Sequence, residues 1–178
     1  QELPGVTVPE LGAPEEYIAA IDRSGYFEVT TLSADDKKRA SMYKQNLERA
    51  QLEQSFGDYN DYLKSLEMHC EIGAFDEPHA ERITQLINKT NQFNLTTRRY
   101  TAAEVEGIMA DPAYITLYGR LVDKFGDNGL VTAMIGHIQD NVLDMDLWIM
   151  SCRTFKRRLE HAMFDELVRR AAAAGVEK

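Results

Sequence analysis

Two cysteines, five prolines and one tryptophan among 178 residues deprive several protein classes of their raw material. Cys70 and Cys152 fit no C-x-x-C pattern, which excludes a zinc ribbon, a dithiol redox centre and a disulfide scaffold. No apolar run approaches the ~20 residues needed to span a bilayer, so no membrane partner is expected. The chain does not open on a basic stretch followed by an apolar core and a small-residue cleavage site. No secretion signal is therefore read, and a reducing cytoplasm is the expected location. Basic side chains are outnumbered, 20 Lys and Arg against 29 Asp and Glu, a net charge of −9. A protein built to grip nucleic acid leans the other way. The sequence has no P-loop, no G-x-G-x-x-G and no D-x-D phosphatase nucleophile. His69, His79, His137 and His161 lack metal-ligand spacing, so no metal is expected.

What is present suits one globular domain. Hydrophobic residues make up 44% and charged residues 28%. A chain of this size buries roughly 70% of its unfolded surface, enough for a core without staples. Charge is unevenly spread. The one dense basic cluster is Arg153, Lys156, Arg157 and Arg158, with a smaller one at Arg98 and Arg99. These are the places to seek a bound anion.

Periodicity predicts the elements. Residues 2–9 read as an extended piece between prolines, and a short helix follows Pro14 with Tyr17, Ile18 and Ile21 on its apolar side. Ser24-Gly25 ends it, and 25–31 is extended. Ser33 caps a helix reaching about Phe56, and Gly57-Asp58 opens another carrying Tyr59, Tyr62, Leu63 and Leu66. Met68, Cys70 and Ile72 alternate as in a half-buried strand. Helices are predicted from Pro78 to Lys89, and from the capping box Thr101-Ala-Ala-Glu104 to Met109. Strands are expected over 114–125, 130–138 and 142–150, with turns at Asp127-Asn128-Gly129 and Asp140-Asn141. Leu143, Met145, Leu147 and Ile149 are expected on one face. A last helix is expected from Thr154 to Ala174, with Gly175 as its C′ residue. The sum is an α+β fold with a mostly antiparallel sheet flanked by helices.

Three stretches can carry chemistry. Cys152 is placed where a strand feeds a helix, among Arg153, Lys156, Arg157 and Arg158. Unpaired amides at a helix start and nearby cations stabilise a thiolate, which suits a nucleophile that forms a thioester. The alternative is a small buried hydrophobe, as Cys70 is expected to be. Thr90, Asn91, Gln92 and Asn94 crowd a helix end, where amides hold a polar ligand or cap the helix. Asp123 and Asp127 suit orienting a base or binding a cation, while a β-turn also explains Asp127 and Gly129.

Together, Lys89-Thr-Asn-Gln-Phe-Asn-Leu-Thr-Thr-Arg-Arg-Tyr100, Asp123-Lys-Phe-Gly-Asp-Asn-Gly-Leu-Val131 and Trp148-Ile-Met-Ser-Cys-Arg153 resemble the C-terminal half of the FkbH-like proteins. In that family a haloacid-dehalogenase-type phosphatase domain precedes a GNAT-like acyltransferase domain. The resemblance implies transfer of a glyceryl unit from 1,3-bisphosphoglycerate, a small phosphorylated three-carbon acid, to an acyl carrier protein. The product feeds methoxymalonyl-type polyketide extender units. It implies residues 1–24 as the tail of the upstream phosphatase domain and 25–178 as an incomplete GNAT-like domain, truncated on its C-terminal side. Phosphatase activity and its magnesium are then expected outside this segment, and no cofactor within it, the phosphopantetheine coming from the carrier.

By the resemblance, Cys152 carries the acyl group, and Asn91, Gln92 and Asn94 hold the glyceryl hydroxyls or the thioester carbonyl. Arg98, Arg153, Lys156, Arg157, Arg158, Asp123 and Asp127 are the expected substrate- or carrier-binding residues. GNAT enzymes hold coenzyme A pyrophosphate on glycine-rich backbone at this turn, and 153–158 contains no glycine. A carrier-bound arm therefore fits better than free coenzyme A. The rival readings are a non-catalytic carrier-docking domain and a coenzyme A-dependent N-acetyltransferase.

Overall fold

The centre of the sheet is a meander of three strands: β3 (Tyr114–Asp123), β4 (Gly126–Gln139) and β5 (Val142–Met150). The computed structural model describes residues 12–23, 25 and 34–177, with the side chains of 34–40 excepted. The expected extended stretches at 2–9 and, apart from Gly25, at 25–31, together with the Ser33 cap, lie outside the described residues. The chain divides into two compact units, Gln1–Tyr43 and Lys44–Lys178. In the first, a 3-10 turn at Pro14–Glu16 leads into α1 (Tyr17–Arg23), and α2 (Ala34–Gln54) begins.

The second unit holds the sheet. Its strands run in the order β1-β3-β4-β5-β2, all antiparallel, where β1 is His69–Gly73 and β2 is the two-residue bridge Phe93–Asn94. The α+β class and the antiparallel sheet thus stand as expected. α4 (Glu77–Lys89) and α5 (Ala102–Ala110) cover one face, over Tyr118, Leu130, Ala133, Ile135, Leu147 and Ile149. α6 (Leu159–Ala173) covers the other, packing Leu159, Met163 and Leu167 on Leu117, Leu121, Met134 and Met150. α3 (Tyr59–Ser65) closes a smaller cluster of Tyr62, Leu63 and Leu66.

Caps mark the helix starts where the side chains allow. Asp58 accepts from the Asn60 N–H at 2.6 Å, and Asp76 from the His79 N–H at 3.0 Å. Thr101 and Glu104 form the expected reciprocal box, and their hydrogen bonds hold the Glu104 carboxyl below its usual range.

Three expectations are corrected. The β3–β4 turn falls at Lys124-Phe125, so Asp127, Asn128 and Gly129 lie inside β4. β5 does not keep one alternation: Gly136 pairs with Met145 but Ile135 with Leu147, leaving Asp146 as a bulge. One extra residue moves every later side chain to the other face. Leu147 and Ile149 therefore pack under α4 and α5, whereas Leu143 and Met145 join the α6 side. Finally, no helix begins at Thr154. Cys152–Thr154 is a 3-10 turn and α6 starts at Leu159.

Candidate functional site

β5 ends at Met150, and the Ser151 N–H still reaches the Val131 carbonyl at 2.7 Å. The chain then tightens into the 3-10 turn, held by buried Thr154, whose hydroxyl donates to the Ser151 carbonyl at 3.0 Å. Cys152 opens this turn and is exposed. The reason for a helix-activated thiolate is thereby corrected, because the α6 amides begin at Leu159 and not at Cys152.

Phe93 lies opposite Met150, and Asn94 opposite Ile149. The 91–94 segment and Cys152 therefore share the same end of β5, although 58 residues separate Asn94 from Cys152 in sequence. The Phe93 ring centroid is 5.5 Å from that of Trp148 and 6.0 Å from that of Phe155. Phe164 also stacks on Trp148, with ring centroids 6.4 Å apart. The indole N–H of Trp148 is buried with no hydrogen-bond partner among the described residues.

The amides of this segment are committed locally. Asn94 accepts from the Thr97 N–H at 2.8 Å and donates to the Thr90 carbonyl at 3.4 Å. Asn91 accepts from Arg99, which also donates to the carbonyls of Ile87 and, at 2.9 Å, Thr90. Arg99 thus closes the C-terminus of α4. Gln92 is exposed. Arg98 donates to Asp146 at 2.6 Å, and the Asp146 carbonyl accepts from the Thr96 hydroxyl at 2.7 Å, so the bulge anchors this segment to β5. Such an exposed ion pair contributes at most about 1 kcal/mol.

The basic cluster is divided. Arg153 Nε donates to the Ser151 hydroxyl at 3.2 Å. Lys156 is exposed, and its carbonyl accepts from the Tyr59 hydroxyl at 2.7 Å. Arg158 donates to the Asn60 side chain at 2.5 Å. Arg157 turns inward and donates to Asp123 Oδ2 at 2.8 Å, its side chain 8% exposed. Lys156 and Arg158, on either side of it, both adopt positive φ, 65° and 59°. The turn thus takes left-handed backbone without glycine, a conformation that costs about 1–2 kcal/mol per such residue.

Asp123 is the most heavily bonded group here. Its carboxylate accepts from Arg49 Nε and Nη2 at 2.8 Å each, Arg157 at 2.8 Å, the Phe125 N–H at 3.0 Å, the Gly126 N–H at 3.2 Å and Asn128 at 3.3 Å. Burial acts to raise its pKa, and the Arg49 guanidinium and the other donors overcome that and hold it below the usual range. Burial, reinforced by the Arg49 charge, lowers the Arg157 pKa, and Asp123 offsets part of that. Asp123, expected to orient a base or bind a cation, instead has its carboxylate bonded by two guanidinium groups, Asn128 and two backbone N–H groups. Asp127 is exposed and pairs with Arg120 at 2.6 Å while accepting from the Gly129 N–H at 2.7 Å.

Sequence reasoning missed Arg49, which sits 74 residues before its partner on a helix with little amphipathic character. It also missed the aromatic group of Phe93, Trp148, Phe155 and Phe164. Cys70 is an exposed residue of β1, yet desolvation and then the Glu71 charge push its thiol up to about 11.

No protein-family model matches the chain, and no curated protein matches it. Among solved structures it is similar to the ribosomal-protein-S18-alanine N-acetyltransferase from Escherichia coli, with 9% identity and a TM-score of 0.46. The likeness covers 61% of this chain and 63% of that one, so less than two thirds of that chain is spanned.

Proposed function

We propose that this chain is an acyltransferase domain in which Cys152 takes up an acyl group and passes it to the thiol of a phosphopantetheine arm. The observation that carries the reading is the exposed Cys152 at the end of β5, beside the paired 93–94 segment and among Arg153, Lys156 and Arg158. An acyl phosphate is the donor class. The Cys152 thiolate attacks the carbonyl carbon, the acyl–oxygen bond breaks, and phosphate leaves with the electron pair. The arm's thiol then loses its proton to solvent or a base and attacks the thioester, and Cys152 leaves as thiolate. In this reading the amides that open the 3-10 turn receive the oxyanion.

The resemblance to FkbH-like proteins supports a glyceryl unit as the acyl group and an acyl carrier protein as the acceptor. It also assigns residues 1–24 to an upstream phosphatase domain, where magnesium and phosphate removal belong. The test is intact mass of the full protein after incubation with 1,3-bisphosphoglycerate. A phosphoglyceryl adduct, or a glyceryl adduct once the phosphatase has acted, on the wild type and none on Cys152→Ala is expected. Equal labelling of the variant refutes the nucleophile.

Carrier docking without a covalent role is the second reading, favoured by exposed Phe155 next to exposed Lys156 and Arg158. Carrier proteins of this kind are acidic. Arg157 is a poor probe of docking because it is buried, so the charge reversals are Lys156→Glu and Arg158→Glu. Under docking alone, carrier affinity collapses and loses its salt dependence while Cys152 shows no adduct. Coenzyme A binding by calorimetry tests the third reading.

A further inference from the structure

The sequence favours one continuous helix from Thr154, and the structure spends four residues, 155–158, avoiding it. The Arg157 guanidinium is instead drawn onto Asp123, the last residue of β3, and the backbone on either side is forced into left-handed φ. Non-glycine residues persist in that region only where their surroundings over-determine them. The surroundings are specific. Asp123 is itself fixed by the bidentate Arg49 pair and by two backbone N–H groups, and Arg49 packs over the Phe125 ring at 5.6 Å. The Tyr59 hydroxyl and Asn60 hold the carbonyl of Lys156 and the side chain of Arg158 from α3. Two guanidinium groups thus meet one carboxylate.

The geometry points to Asp123 as the positioning residue of the Cys152 turn. Anchored by Arg49, it pulls Arg157 inward and so fixes the backbone that presents Arg153, Lys156 and Arg158 to an anionic substrate arm. The identity of that arm rests on the acyl-transfer reading, whereas the clasp does not. Asp123 touches no reacting atom. It acts through Arg157.

Arg157→Met removes the turn's end of the clasp and leaves the Arg49–Asp123 pair intact, and Arg157→Lys keeps a cation there. Three readouts apply to the whole chain: amide hydrogen exchange, the fluorescence of Trp148, the sole tryptophan, and the affinity for 4′-phosphopantetheine. In Arg157→Met, exchange over 153–158 rises about tenfold or more while β4 amides 131–136 stay protected. Trp148 emission shifts, because Phe93 links it to Phe155, and phosphopantetheine affinity falls about tenfold. Arg157→Lys recovers most of each change. Asp123→Asn behaves as Arg157→Met, and if it does not fold, Arg157→Met decides alone. Wild-type exchange over 153–158 in Arg157→Met overturns the proposal, as does Arg157→Lys as damaged as Arg157→Met. If the wild type binds no phosphopantetheine, the acyl-transfer reading fails, and the exchange comparison still upholds or overturns the clasp.

Discussion

Phe93 lies directly opposite Met150 across an antiparallel bridge, and that single pairing sets the 91–94 segment beside the turn that begins at Cys152. The bridge is short, and the Phe93 ring secures it by packing on both Trp148 and Phe155. Replacing Phe93 by Ala is expected to cost about 1–3 kcal/mol, since the ring is only half-buried. It also shifts Trp148 emission to the red as water reaches the indole. Unchanged emission in the folded variant counts against the packing role.

The two thiols differ in environment, and alkylation separates them. With its thiol pushed up to about 11, Cys70 holds only about 0.1% thiolate at pH 8. Peptide mass spectrometry after brief iodoacetamide treatment at that pH is expected to show modification at Cys152 well before Cys70. Equal rates contradict the picture of Cys70 as the desolvated, inert thiol.

Asp123 ties β3, α2 and the 155–158 turn together, and its loss leaves two buried guanidinium groups facing each other. Asp123→Ala is expected to destabilise the fold by about 3–5 kcal/mol in urea titration. The folded carboxyl titrates below the unfolded value of about 3.9, so its contribution is complete above that pH. It is lost as the pH falls from about 4 through the folded value. An Asp123→Asn variant that folds lacks this part of the acid dependence, and an unaltered acid limb argues against the ion pairs.

Gly119 lies where β3 meets α6. A Cβ there falls 2.6 Å from Thr132 Cγ2 and 2.9 Å from Met163 Sδ, both on fully buried residues. Gly119→Ala is expected to lose about 1–3 kcal/mol through overpacking. A thermal midpoint within one degree of wild type means the interface has slack that these distances deny.

The meander at 114–150 and the caps at Asp58 and Thr101 are legible in the sequence. Hydrophobic periodicity and capping chemistry act over a few residues and need no partner from elsewhere. Cys152 at the end of a strand is legible for the same reason. The amides at 91–94 stand out as an amide-rich run, but their commitment to Thr97, Thr90 and Arg99 is a property of the folded turn.

Amino-acid order alone therefore determines that a sheet of alternating apolar strands forms and where α3, α4 and α5 begin. Tertiary packing decides the rest. The Asp146 bulge reverses the facing of half of β5, because register depends on what the neighbouring strand and Arg98 offer. The interruption before α6 exists because Arg49 and Asp123, 74 residues apart, meet in a site buried enough for their charges to outweigh the local preference of 154–158 for a helix. No window of sequence holds both partners, so that balance of burial against charge is settled only once the chain has folded.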